Sequence, residues 1–499
     1  ANDDASAFCL APRGSLTAAN SSSRPSAVNV SWQLLRSRVR VSHTSLGSAC
    51  ALGSDEGPSK LESLAFVSEQ STVATSSTWR SAVTLGIASL SKPCHVVGVQ
   101  GTAIDSVLDA ESARGSVSVL GIASLLGSSM RDVQLKASVN AVLRGTVASS
   151  FDFTAVTVLG IALASDDTGS NATAIEGVTL EASGNSSVVA VGWDGAGAVS
   201  AMGIVLRGGS GAPIPLVATL RDINLTAMGA SQVVAKGGLA VAAVGVSLTS
   251  NVVGAQVREL SIRIEAAQVY VESPFAVPAA AAGIAIAAGG QSRLNSSHIY
   301  LTAAFASTVV CQASHAVAAL GIALFGNDWS SPCVAHVTDA TFAATAASNV
   351  TTVAKRNTNT CASTSLGVAL AGPAVDARVS NLAMLSVASN VDSAGNCNSV
   401  NAMGLSFATQ IPDGGDGNVT LTNVSMFAIN GSNVSSAAIH ASSALGIAVG
   451  GGVITLTVIN VSTLTENSVL SSVGTGSAVR LFGIAVASPT SFVSVHDWK

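Results

Sequence analysis

The sequence predicts an all-β fold, a right-handed parallel β-helix (β-solenoid) of about twelve coils, each of about 40 residues and three strands. Three observations predict it. A short apolar motif centred on glycine returns twelve times along the 499 residues. Within it, large and small residues alternate with period two, the spacing of a strand. Between copies lie two further alternating runs rich in Val, Thr and Ser, with no helical pattern.

The motif strand sets the ruler. Its copies read TSLGSA, VTLGIAS, SVLGIAS, TVLGIAL, SAMGIVL, AAVGVSL, AAAGIAI, AALGIAL, TSLGVAL, NAMGLSF, SALGIAV and RLFGIAV. Their glycines are Gly47, Gly86, Gly121, Gly160, Gly203, Gly245, Gly283, Gly321, Gly367, Gly404, Gly446 and Gly483, at intervals of 35 to 46 residues. Residues one before, one after and three after each Gly are mostly large, as Leu320, Ile322 and Leu324 are around Gly321. The other two strands of a coil lie upstream, for example AHVTDATFAAT and then SNVTTVAK, or NVTLTNVSMFAI and then SNVSSAAI. A propeller would need four strands per blade and would close at about four to eight blades. Leucine-rich repeats are shorter and carry an asparagine ladder. At about 4.8 Å per rung, twelve coils make a rod of roughly 55 to 60 Å. Residues 1–27 precede the first rung as a cap or linker, 28–490 form one solenoid domain, and 491–499 are a C-terminal tail.

Composition agrees. Only 4% of residues are aromatic and 10% charged, while 48% are hydrophobic, and small and β-branched residues suit stacked strands. The net charge of −5, with no basic stripe beyond Arg36, Arg38 and Arg40, argues against a nucleic-acid partner. The windows 275–290 and 437–464 are apolar enough to suggest a membrane span. Each motif core is only about seven residues long, however, shorter than a span requires, and Pro274 and Pro278 interrupt the Ala-rich segment. No membrane span is expected.

Twelve N-x-S/T sequons occur, at Asn20, Asn29, Asn171, Asn185, Asn224, Asn295, Asn349, Asn418, Asn423, Asn430, Asn433 and Asn460. They take half of the 24 asparagines, which points to a secreted glycoprotein carrying N-linked glycans, at the cell surface or beyond it. Chance in a Ser/Thr-rich chain is the competing explanation. The opening ANDDASAFC carries no signal peptide, as expected of a mature chain whose leader has been removed.

If the large residues point inward, the Gly and the residue two after it form a flat apolar second face. Gly86, Gly121, Gly160, Gly203, Gly245, Gly283, Gly321, Gly367, Gly404, Gly446 and Gly483 are its candidate assembly residues. No sequon lies within ten residues of a repeat Gly. Three uses fit such a face: contact with another subunit, packing beneath outer loops of the same chain, or contact with ice.

Signals for chemistry are sparse. Asp105, Asp109, Asp132, Asp152, Asp222, Glu259, Glu265 and Asp376 share no column with Lys or Arg, so a pectate-lyase-like site is not expected, and neither is an enzyme. PDGGDGN, at 412–418, has calcium-loop spacing but appears once and reads as a turn. His315, Cys361, Cys397 and His440 each precede their Gly by six or seven residues. Across four rungs they would span about 14 Å, too far for one metal ion. No cofactor or metal is expected. Cys361 with Cys397 is instead a candidate disulfide, as are Cys9 with Cys50 and Cys311 with Cys333, leaving Cys94 odd. The tryptophans Trp32, Trp79, Trp193, Trp329 and Trp498 share no column that would mark a ligand groove.

The Val/Ser/Thr-rich strands ending in a Gly-centred motif resemble, in texture and over residues 28–490, the β-helical surface glycoproteins of kinetoplastid protists, the dispersed gene family among them. The resemblance implies an extracellular adhesive or structural glycoprotein and transfers no functional residue; this chain departs from it in showing no membrane anchor. The expected function is structural: self-assembly into extracellular filaments through the Gly/Ala face and the open ends. A monomeric adhesin or glycan-binding rod is the alternative, and an ice-binding or polysaccharide-lyase β-helix the third.

Overall fold

A computed structural model describes residues 26–499 apart from 44–46, 55–59, 79–81, 90–92, 114–115, 149–154, 165–171, 193–196, 209–215, 251–252, 274–277, 290, 327–332, 356–360, 410–416, 452–453, 475–477 and 488–491. The described residues form a parallel β-solenoid with no helix. Each turn contributes one strand to each of three sheets, and every strand pairs with those one turn before and after. One turn reads Ser292–Ala304, Thr308–Ala313 and Ala316–Gly326. The first sheet has 13 strands, the second and third 12 each. The two runs upstream of each motif are the first- and second-sheet strands, and the glycine motif is the third.

Two expectations change at the ends. The supposed tail is not a tail, because Phe492–Trp498 is the last strand of the first sheet and pairs with Ile454–Glu466. Twelve coils is slightly too many for the regular part. Nine consecutive third-sheet strands, from Val117–Leu125 to Ala441–Gly450, are buried along all or nearly all of their length. The fully packed solenoid is therefore about nine turns. At the start, Ala51 and not Gly47 stands beside Gly86, so Gly47 is off the column. Residues 1–25 of the N-terminal segment lie outside the described residues, and its last two open the strand Ser26–Leu35.

The main core is a column of inward side chains from all three sheets. Leu320, Ile322 and Leu324 are fully buried in it, and burying each such side chain stabilises the fold by about 1.5–3 kcal/mol. The third sheet is buried on its other face too. Alanines there form separate small clusters, such as Ala316, Ala318, Ala323 and Phe325 with Ala362, Ala369, Ala371 and Ala408. A parallel strand covered on both faces reads as a continuous apolar run, which is why each motif looks like a piece of a membrane helix.

Every first-sheet strand carries one left-handed residue, from Asn29 through His298 to Asp497, with φ between 51° and 69°. The residue is skipped in the pairing, as His298 is between Ser297↔Thr338 and Ile299↔Ala340. This is a β-bulge, and it shifts the phase of alternation. In Ser292–Ala304 the alternating buried residues are Ser292, Leu294 and Ser296 before it and Ile299, Leu301 and Ala303 after it, with Ala304 buried at the strand end. The corner to the second sheet is closed by a serine whose hydroxyl donates to a carbonyl just upstream, as in Ser106 Oγ to Ile104 O at 2.8 Å and Ser432 Oγ to Ile429 O at 2.8 Å.

Candidate functional site

The glycine column is in register from Gly86 to Gly483. Its cause lies in the backbone. Gly283 has φ +143, and a Cβ built on it would lie 1.8 Å from the carbonyl oxygen of Gly321 in the next turn. The same contact, at 1.8 to 2.0 Å, recurs from Gly86 to Gly446. Only glycine fits a strand whose neighbour's carbonyl occupies the space of a side chain. Several of these carbonyls also accept from the residue three before Gly in the preceding turn, as Gly404 O does from Thr364 Oγ1 at 3.2 Å. Two residues just before each Gly face the core together, Ala319 and Leu320 in one turn, which marks a second bulge.

The glycines from Gly86 to Gly446 are buried, and so are the small residues two after them: Ala123, Ala162, Ala285, Ala323, Ala369 and Ala448 are at most 1% exposed in the single chain. The expected assembly face is therefore an interior layer. Neither a second subunit nor ice has access to it. Backbone geometry and coverage by this chain together account for the absence of side chains.

All ten described sequon asparagines are exposed, and none lies in the third sheet. Asn20 and Asn171 fall outside the described residues. Five sequon asparagines, Asn29, Asn185, Asn423, Asn430 and Asn460, have φ between 53° and 60°, a conformation asparagine tolerates better than most residues. The bulge and corner geometry thus gives a second reason for asparagine at these sites. In the first-sheet bulge column a ladder of amides forms. Asn381 Nδ2 donates to Asp339 Oδ1 at 2.9 Å, Asn423 Nδ2 to Asn381 Oδ1 at 3.0 Å, and Asn460 Nδ2 to Asn423 Oδ1 at 2.8 Å.

Cys361 and Cys397 form a disulfide between adjacent turns, with Cα atoms 4.7 Å apart. Cys311 and Cys333 do not pair: both are buried free thiols. They sit on different sheets, Cys311 in Thr308–Ala313 and Cys333 in Cys333–Thr345, and share no column. Burial raises both thiols, and Cys333 is pushed up to about 12 although Ser292 Oγ donates to its sulfur at 3.1 Å. The pair Cys9 and Cys50 lies outside the residues whose side chains are described. Cys94 is buried with its sulfur 3.2 Å from Ser124 Oγ. His315 packs edge-on against Phe325 with ring centroids 5.3 Å apart, and no cluster able to hold a metal ion occurs among the described residues.

The charges are less scattered than expected. Asp132, Asp222, Glu259 and Asp339 share the bulge column. Arg131, Glu176 and Arg221 stand abreast beside it, with Arg131–Glu176 at 3.0 Å and Arg221–Glu259 at 3.8 Å. On the second sheet Arg144 stands directly beside Asp109. The number of residues per turn varies, from 35 to 46 between successive repeat glycines, which hides these columns in a linear reading. Asp152 lies outside the described residues.

The two ends differ. Core-facing Val30 and Val41 of the first turn are 7% and 4% exposed, whereas Leu481 and Phe482 of the last third-sheet strand are 46% and 44% exposed. Phe492, Val493 and Val495 in the final strand are exposed as well. No helix among the described residues is long and apolar enough to cross a membrane. No family model, curated protein or solved structure matches the chain.

Proposed function

We propose that this chain is a structural, secreted and N-glycosylated β-solenoid that assembles end to end into extracellular or cell-surface filaments. The observation that carries the reading is the solenoid itself, in which each strand pairs along the rod axis with its counterparts in the neighbouring turns, so that stacking one rod on another would continue all three sheets by the same pairing that builds each rod. The exposure of every described sequon asparagine supports glycosylation of the first sheet, its corner and the start of second-sheet strands such as Asn349–Ala354 and Asn433–Ala438.

Electron microscopy and sedimentation of the glycosylated protein test this reading. Filaments with an axial repeat near the rod length, abolished by Phe482→Lys, are the expected result. Isolated rods at every concentration refute it. A second reading, a monomeric glycan-binding rod, is favoured by the opposed but unjoined Asp109 and Arg144 on the second sheet.

A further inference from the structure

We propose that the outer face of the second sheet, in its early turns, binds a neutral saccharide in a hollow bounded by Arg40, Asp109, Glu111 and Arg144. The hollow measures about 320 Å³, at the lower end of the range for small-ligand sites. Its form follows from the register. Arg40, Ala74, Asp109 and Arg144 stand abreast on four successive strands, and Ser76, Glu111 and Thr146 stand abreast two residues on. Ala74 and Ser76 are too short to fill their rung, so a notch opens between Arg40 and the two carboxylates.

The charges around the notch behave unlike others on this rod. Where opposite charges stand abreast elsewhere they form ion pairs, at 3.0 Å for Arg131–Glu176, 2.8 Å for Lys136–Glu181, 3.1 Å for Lys236–Glu272 and, more loosely, 3.9 Å for Arg221–Glu176. Among the described residues Asp109 and Arg144 form no such pair, though their strands are neighbours. The Asp109 backbone is fixed from the core side, where Thr84 Oγ1 donates to its carbonyl at 2.7 Å. Partial burial holds the Asp109 carboxyl above its usual range, with Arg144 pulling it part of the way back.

The ligand class follows from this donor set. Carboxylates only accept and guanidiniums only donate, so a partner that does both at adjacent atoms satisfies all four groups, and the vicinal hydroxyls of a sugar ring do so. Two positive and two negative groups cancel, which gives a charged ligand no net attraction. No aromatic side chain lines the hollow, so binding rests on hydrogen bonds to charged groups. This site deepens the glycan-binding reading and does not depend on filament formation, which sedimentation reports separately.

The test is ligand-observed NMR on the full chain with methyl glycosides of glucose, galactose, mannose and N-acetylglucosamine. Glycine serves as a zwitterionic probe and inorganic phosphate as an anionic one. At least one glycoside is expected to bind, with affinity falling about tenfold or more in Asp109→Asn and in Arg144→Ala, and unchanged in Arg131→Ala on the first sheet. Ala74→Phe, which fills the notch without removing a charge, should also abolish binding. The proposal is overturned if no glycoside binds, if only glycine or phosphate binds, or if binding survives both Ala74→Phe and the double charge variant.

Discussion

Replacing Gly283 with Ala tests why the motif exists. The new Cβ would lie 1.8 Å from Gly321 O and 2.9 Å from its carbon. Both are backbone atoms, so no side chain can swing aside; a gap of more than 1 Å must open between two turns. A φ of +143 is also strained for alanine, at about 1–3 kcal/mol. Parting the strands forfeits one or two buried hydrogen bonds at about 1–3 kcal/mol each. The sum is about 2–9 kcal/mol. Gly483 supplies the control, since it has φ +91 and nothing within 4 Å of its Cβ position; Gly483→Ala should cost about 1–2 kcal/mol, the conformational part alone. The assay is hydrogen exchange of the third-sheet amides, because solenoids open locally and not as one unit. Equal costs for the two substitutions would show that the inter-turn contact is not what demands glycine.

Three further outcomes follow from the described geometry. Reducing the Cys361–Cys397 bond opens a 36-residue loop, worth about 4 kcal/mol on the chain-entropy account; exchange in Ala362–Gly372 and Ser399–Thr409 should speed up strongly under reductant, and unchanged rates would refute this. Cys311 and Cys333, buried with raised thiols, should resist alkylation at pH 8 until the protein is denatured, and labelling of the native rod would contradict their placement. Asn423→Ala should destabilise by about 1–2 kcal/mol and Asn423→Gly by less, since glycine keeps the left-handed bulge and loses only the amide ladder; equal melting shifts would count against the bulge as the cause.

Much of the fold was legible because it repeats. Leu320, Ile322 and Leu324 around Gly321 give the strand and its inward face without any partner in view. What the linear sequence hides is register. His298 reads as an ordinary polar residue in an alternating run, and only its skipped pairing reveals the bulge that reverses the alternation. For the same reason Asp109 and Arg144 look unrelated, 35 positions apart, until the strands are laid side by side. The spacing of Cys361 and Cys397 is one turn and so places them together, while Cys311 and Cys333 are separated by about half a turn and face different neighbours. The Gly/Ala layer was visible as small residues, but a sequence does not say whether a bare surface is covered by its own chain or by another.

The one-sided contact of the glycine column has a consequence for how such a rod errs while folding. If one strand slides by a single residue, Leu or Ile replaces Gly against the neighbouring carbonyl, and the collision vetoes the slip. A strand that skips a whole turn meets no such obstacle, because the next copy presents the same glycine at the same height. The column therefore proofreads position along the strand and is blind to which turn is being added. Fidelity in the order of turns must come from the parts of each turn that differ: the Cys361–Cys397 disulfide, the charge columns of the first sheet and the notch on the second.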